Sequence, residues 1–189
     1  MKALADRFVN SGFFNPELSQ QIEAAFTYQH FAKNEILLRE NEISDAYYFL
    51  ESGIIRSYAI NPEGNEISTN FYSTGDFVFE VQSFFLRKAS QEYLQCITAV
   101  NVASISFETM NKLFHEYPQF REFGRSMLVR GFANLKERML SHITQSAESR
   151  YLQLLQQKPE MIEQVPLKYI ASFLGITDTS LSRIRKEIR

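Results

Sequence analysis

The spacing of apolar residues changes period twice along the chain. Near the start, Leu18, Ile22 and Phe26 recur every four residues behind Asn15 and Pro16. A capping side chain followed by a proline at the first helical position predicts a short amphipathic helix. From about residue 28 to 107 the texture becomes short β-rich runs: "EILL", "YYFLESGIIRSYAI", "EISTNFY" and "EYLQCITAVNVASISF". In "ISTNF", alternation predicts Ile67, Thr69 and Phe71 on one face and Ser68 and Asn70 on the other. "NPEGNE" reads as a hairpin turn, with Pro62 fixing φ and Gly64 free to adopt positive φ. Many short strands in about 80 residues argue for a sandwich or jelly-roll-like barrel.

After Phe107 the period lengthens again. "ETMNKLFHEY" predicts a short helix stopped by Pro118. Phe120, Phe123, Met127, Leu128, Phe132, Leu135, Met139 and Ile143 then recur at threes and fours, with Arg and Lys filling much of the rest. This predicts one amphipathic helix of roughly seven turns over 119–144, too long for a small β domain to shelter. A helix of this kind commonly pairs with its own copy, so a dimer seam is expected. Residues 144–149 read as a polar hinge, "SRYLQLLQQ" as a further helix, and "MIEQVP" as a linker.

The final unit, "IASFLGITDTSLSRIR", carries the most specific pattern. In a frame beginning at Leu167, the residues Ile170, Leu174, Ile176, Leu181 and Ile184 occupy the positions that pin two helices together. Ala171 is small where they cross, Gly175 sits at the turn, and Thr177 caps the second helix. This is a helix-turn-helix pattern. The face turned from Leu181 and Ile184 offers Asp178, Thr179, Ser180, Ser182, Arg183, Arg185 and Lys186. Residues near the start of such a helix reach base edges in the major groove. Arg183 suits guanine O6 and N7, Thr179 a thymine methyl or polar edge, and Ser180 with the amides near Thr177 a phosphate. Arg185, Lys186 and Arg189 could supply attraction blind to base identity. Asp178 could accept from cytosine N4 or serve only the helix dipole.

Charge follows the same division. The 189 residues carry a net charge of −2, yet residues 1–118 hold eight Lys/Arg against fifteen Asp/Glu, and residues 119–189 hold twelve against seven. An acidic front and a basic back suggest two domains with different partners, the basic one facing nucleic acid. Hydrophobic residues make up 44%, with 17 Phe and 9 Tyr, enough for a core without disulfides. The lone Cys96 excludes a disulfide framework within the monomer. Asp6 and Arg7 stand where a secretory apolar stretch would be, and no apolar run approaches the ~18 residues of a membrane span. A cytoplasmic protein without membrane contact is expected.

With a β-rich front, a long central helix and a terminal helix-turn-helix, the chain resembles the Crp/Fnr superfamily of bacterial transcription regulators along nearly its whole length. "YYFLESGIIRSY" and "GDFVFE" resemble the family's β-roll repeats, and "IASFLGITDTSLSRIRK" resembles especially the branch common in Bacteroidetes-type bacteria. The resemblance implies an α+β architecture. Residues 1–117 would form a cyclic-nucleotide-binding-like β-roll (a jelly-roll-like, double-stranded β-helix). Residues 118–144 would form a dimerisation helix, and residues 145–189 a winged-helix-like DNA-binding domain. Double-stranded DNA, a second copy of the chain and RNA polymerase are the implied partners.

The family's cyclic AMP motif is broken here. It pairs Gly with Glu for the ribose and Arg with a small residue for the phosphate. This sequence has Phe79 before Glu80, and Ser90 with Gln91 where the second pair belongs. Leu135 and Lys136 fall at the family's adenine-contacting pair, and Arg87 and Lys88 could substitute under a different loop register. Losing the arginine removes a charge-assisted bidentate contact, so regulation by cyclic AMP in the usual way is not expected, and the effector stays unidentified. One cysteine is too few for an iron–sulfur cluster, and His30, His115 and His142 lack ligand spacing, so no cofactor or metal is expected. An enzyme on a cupin-like barrel would gather His and carboxylates around a metal, and this chain is expected not to be one. Two alternatives stay open: a cyclic-nucleotide-responsive regulator with a non-standard pocket, and a dimeric interaction module without DNA binding.

Overall fold

The computed structural model describes residues 3–188, so Arg189, read above as one of the basic charges toward nucleic acid, lies outside the described residues. Two short helices, α1 (Ala3–Asn10) and α2 (Pro16–Glu23), open the chain. Asn15 caps α2 as expected, its Oδ1 accepting from the Leu18 amide at 2.8 Å. The helix stops at Glu23, so Phe26 reaches the core from the following loop and not from a third turn.

Eight strands follow in two four-stranded antiparallel sheets. They are β1 (Thr27–Phe31), β2 (Ile36–Leu38), β3 (Ala46–Ser52), β4 (Ile55–Ile60), β5 (Glu66–Tyr72), β6 (Phe77–Val78), β7 (Tyr93–Cys96) and β8 (Val100–Ser106). One sheet runs β1-β8-β3-β6 and the other β2-β7-β4-β5, the α+β roll that the strand count implied. The β4–β5 hairpin turns through Asn61, whose Oδ1 accepts from the Glu63 and Asn65 amides, and through Gly64 at φ +82°. Gly53 is the position most intolerant of a side chain. Its φ is +96°, and a Cβ there would stand 2.5 Å from the Ala99 carbonyl oxygen.

The alternation read in "ISTNF" is wrong, and a bulge is the reason. Ser68 pairs with Tyr58 and Asn70 with Ser57, leaving Thr69 as an extra residue. An extra residue resets the two-residue period. Ser68 and Phe71 therefore both face outward onto the terminal helices, while Ile67 is solvent-exposed.

Between β6 and β7 lies α3 (Val81–Leu86), and after β8 come α4 (Phe107–Glu116) and the long α5 (Pro118–Thr144). The predicted apolar face of α5 divides in two. Phe120, Phe123 and Met127 pack into the chain's own core. From Leu128 onward the stripe is exposed: Phe132 is 70% and Ile143 73% accessible. The remaining helices are α6 (Ala147–Gln157), α7 (Pro159–Gln164), α8 (Leu167–Phe173) and α9 (Asp178–Glu187). The segment read as a linker is thus largely helix α7, because Pro159 starts a turn instead of merely ending one. No strand follows β8 among the described residues, so the terminal unit is helical with no β wing.

The main core is aromatic. Phe8 on α1 is fully buried, with ring centroids 5.1 Å from Phe14, 5.4 Å from Phe123 and 6.2 Å from Phe120. Aromatic pairs at such separations add to simple area burial, so this one ring fastens α1 to the start of α5. Phe8→Ala is expected to cost about 3–5 kcal/mol of stability, as a cavity plus lost transfer energy. Urea unfolding followed by fluorescence checks it.

Candidate nucleic-acid interface and sensor pocket

The helix-turn-helix is assembled from short-range rules. Gly175 takes φ +69° at the turn, and Thr177 Oγ1 accepts from the Ser180 amide at 3.2 Å. Ile170, Ala171, Leu174, Leu181 and Ile184 are all buried, while Ile176 is only half-buried. Arg150 braces the turn from α6: Nη2 donates to the Leu174 carbonyl at 2.8 Å and Nη1 to that of Gln145 at 2.7 Å. The same guanidinium thereby ties the break between α5 and α6 to the unit behind it.

Burial of Leu181 and Ile184 sets which side of α9 faces water. Thr177, Asp178, Thr179, Arg183 and Lys186 are exposed. Ser180, Ser182 and Arg185 are half-buried. The Thr177 and Ser180 hydroxyls lie 3.0 Å apart, so their first duty is to the cap. Arg183 has no ion pair or hydrogen bond to the chain among the described residues, which leaves all its donors for a partner.

The expected effector residues do not converge. Glu80 is the N-cap of α3, its carboxylate accepting from the Gln82 and Ser83 amides. Arg87 ends α3 in the left-handed region at φ +54° and turns away. Nη1 donates to the Ser44 carbonyl at 2.6 Å, Nη2 meets Asp45 at 3.1 Å, and the guanidinium lies 4.4 Å from the Phe107 ring centre. It therefore does not stand in for a phosphate-binding arginine. Lys88 and Gln91 are exposed, and Ser90 is buried with its hydroxyl engaged by the Glu92 backbone. Leu135 and Lys136 lie on the exposed side of α5. Phe79 stacks on Tyr47 with centroids 4.4 Å apart, filling the space a glycine would leave open.

A different set gathers on the inner side of the second sheet. Ser57 and Thr69 share a hydroxyl contact of 2.7 Å, and both hydroxyls favour the charged form of the neighbouring Glu92. Burial pushes the Glu92 carboxyl above its usual range; Glu80 adds to the shift while the hydroxyls and Arg138 oppose it. Arg138 reaches in from α5, donating to the Thr69 carbonyl and lying 5.0 Å from the Phe173 ring centre. Burial lowers the Arg138 pKa, with Glu92 and Tyr72 opposing. A sequence signal for Arg138 existed. It stands eighteen residues, five full turns, after buried Phe120 and so on the same helix face.

Among the described residues no group of His, Cys, Asp and Glu could hold a metal ion. No described helix is long and apolar enough to cross a membrane.

Comparison with known proteins agrees with this geometry. Residues 28–117 match the cyclic nucleotide-binding domain. The nitrogen fixation regulation protein FixK of Bradyrhizobium diazoefficiens is 24% identical over 82% of this chain and 68% of its own length. The fumarate and nitrate reduction regulatory protein of Yersinia pestis is 24% identical over 80% of this chain and 64% of its own. The chain thus spans about two thirds of these relatives, which are regulators and not enzymes. The structure of FixK2 from Bradyrhizobium japonicum superimposes with a TM-score of 0.75 at 19% identity, covering 86% of this chain and 84% of that one. Residues 28–117 are thus a cyclic nucleotide-binding domain, and the chain as a whole, with its β-roll, long helix and terminal helix-turn-helix, is similar in sequence and fold to regulators of the Crp/Fnr type.

Proposed function

We propose that the chain is a sequence-specific DNA-binding transcription regulator that acts as a cytoplasmic homodimer and is not driven by cyclic AMP in the usual way. The observation that carries the reading is the reading face of α9. Its apolar side is locked into the terminal core, and Arg183 is left exposed and unpaired. In this reading residues 1–117 are the sensor, 118–144 the dimer helix and 145–189 the DNA-binding unit. RNA polymerase is the machinery it would finally influence.

The exposed stripe on α5 supports the dimer. Leu128, Phe132, Leu135, Met139 and Ile143 leave an apolar band along the outer helix face, a seam of the width two copies would close. A two-fold pair would set the two α9 helices toward successive major grooves about 34 Å apart. The pocket chemistry supports the statement about cyclic AMP. Arg87 is committed to Ser44 and Asp45, Phe79 stacks on Tyr47 where the family has glycine, and buried Glu92 adds a carboxylate to the inner side of the roll.

Selection of bound sequences from random DNA by the purified protein tests the function, and binding is expected to weaken steeply as salt rises. Arg183→Ala should cost about 1–3 kcal/mol and relax preference at one base pair per half-site; an unchanged preference rejects its role. Phe132→Glu should shift the protein to a monomer in sedimentation and lower DNA affinity at least tenfold. Calorimetric titration with cyclic AMP should reveal no saturable binding in the micromolar range.

A further inference from the structure

Arg56 occupies an unusual position for a charged side chain. Its neighbour Ile55 points into the roll, so Arg56 must point outward from β4. Yet it is fully buried, because α8 lies across the outer face of the sheet. The guanidinium carbon sits 3.4 Å from the Tyr169 ring centre on α8 and 4.1 Å from that of Tyr58 beneath it. Nη2 donates to Gln95 Oε1 at 2.9 Å and pairs with the partly exposed Glu66 carboxylate. Nε and Nη1 are buried, and no acceptor among the described residues reaches either.

The surrounding contact is extensive. Ile54, Phe71 and Ile97 of the roll share one apolar cluster with Ile170, Leu174 and Leu181 of the helix-turn-helix. Phe71 and Phe173 meet edge-on at 5.3 Å. The Ser68 amide donates to Ser172 Oγ at 3.1 Å. Lys158 Nζ donates to the Phe71 carbonyl at 3.1 Å and to Asp76 at 3.2 Å. These contacts all favour a docked helix-turn-helix. Arg56 opposes them. Docking strips water from a full charge and leaves two of its donors unpaired, and a half-satisfied buried charge raises the energy of the state that buries it. Lifting α8 returns those donors to water and turns the Glu66 contact into an ordinary surface pair.

We propose that the helix-turn-helix unit is a releasable element, and that Arg56 is the positioning residue that keeps its docked and released states close in free energy. Resting on the DNA-binding reading, this makes undocking of α8 the step that frees the two α9 helices of a dimer to adopt the spacing of an operator. The α9 reading face is already exposed in the docked state, so the dock restrains the orientation of α9 and does not cover it.

Hydrogen–deuterium exchange on the full chain, without DNA, tests the balance directly. Arg56→Met keeps an unbranched apolar stem under Tyr169 and removes the charge. It is expected to slow exchange in residues 68–72 and 169–174 about tenfold or more. Tyr169→Ala removes the lid and is expected to speed exchange in the same two segments, leaving the β3–β8 pairing unchanged. Faster or unchanged exchange in Arg56→Met would overturn the proposal, as would its failure to fold, since the guanidinium would then be a structural support. Because the readout needs no DNA, it stands even if the chain bound none. Against the DNA selected by the wild-type protein, Arg56→Met is expected to bind about tenfold more weakly. Slowed exchange with equal affinity would overturn the link to DNA binding.

Discussion

A helix of 27 residues is about 40 Å long, more than one β-roll can cover, and the division of its surface governs the rest of the molecule. Phe120, Phe123 and Met127 pack into the roll's aromatic core, whereas Gly131 and Asn134 further along are exposed. Cover returns only at Arg138 and Ser141, and there it is polar. The start of α5 is therefore held by rings, and its later turns by Arg138 reaching the Thr69 carbonyl. The adjacent face is apolar over its second half and finds no cover within the subunit. One helix thus fixes the roll, contacts the helix-turn-helix and leaves an apolar stripe uncovered over its second half.

The parts of this architecture that obey short-range rules were legible in the sequence. Gly175, Thr177 and Leu181 lie within seven residues, and their roles follow from backbone geometry alone. The many short strands and the length of α5 were legible for the same reason. What escaped depends on contacts between distant segments. Arg56 in "GIIRSY" reads as a solvent-facing strand residue, and only α8, more than a hundred residues later, buries it. The Thr69 bulge leaves no mark in a run of good strand formers. Pro159 reads equally well as the end of one helix or the first residue of another. The apolar positions of α5 were found, but periodicity cannot tell a face packed inward from one left open.

The effector region teaches a related lesson. Glu80 matches the family by position, yet its carboxylate is occupied with the amides at the start of α3. Arg87 is near enough in sequence to compensate for the missing arginine, yet it is committed to Ser44, Asp45 and Phe107. Positional matches thus retain an identity after the chemistry has moved elsewhere. The polar group that does assemble, Ser57, Thr69, Glu92 and Arg138, satisfies itself from within the chain.

The extra residue in β5 has a consequence for how this hairpin can change over time. Because Thr69 stands outside the pairing, Ser68 and Phe71 emerge on one side of the sheet although three positions separate them. Removing that single residue would leave the two only two positions apart, which ordinary alternation also places on one face, with every pairing kept. The seat for α8 would therefore survive the loss of Thr69. Losing a paired residue such as Asn70 instead, with the bulge kept, would shift the register of all that follows.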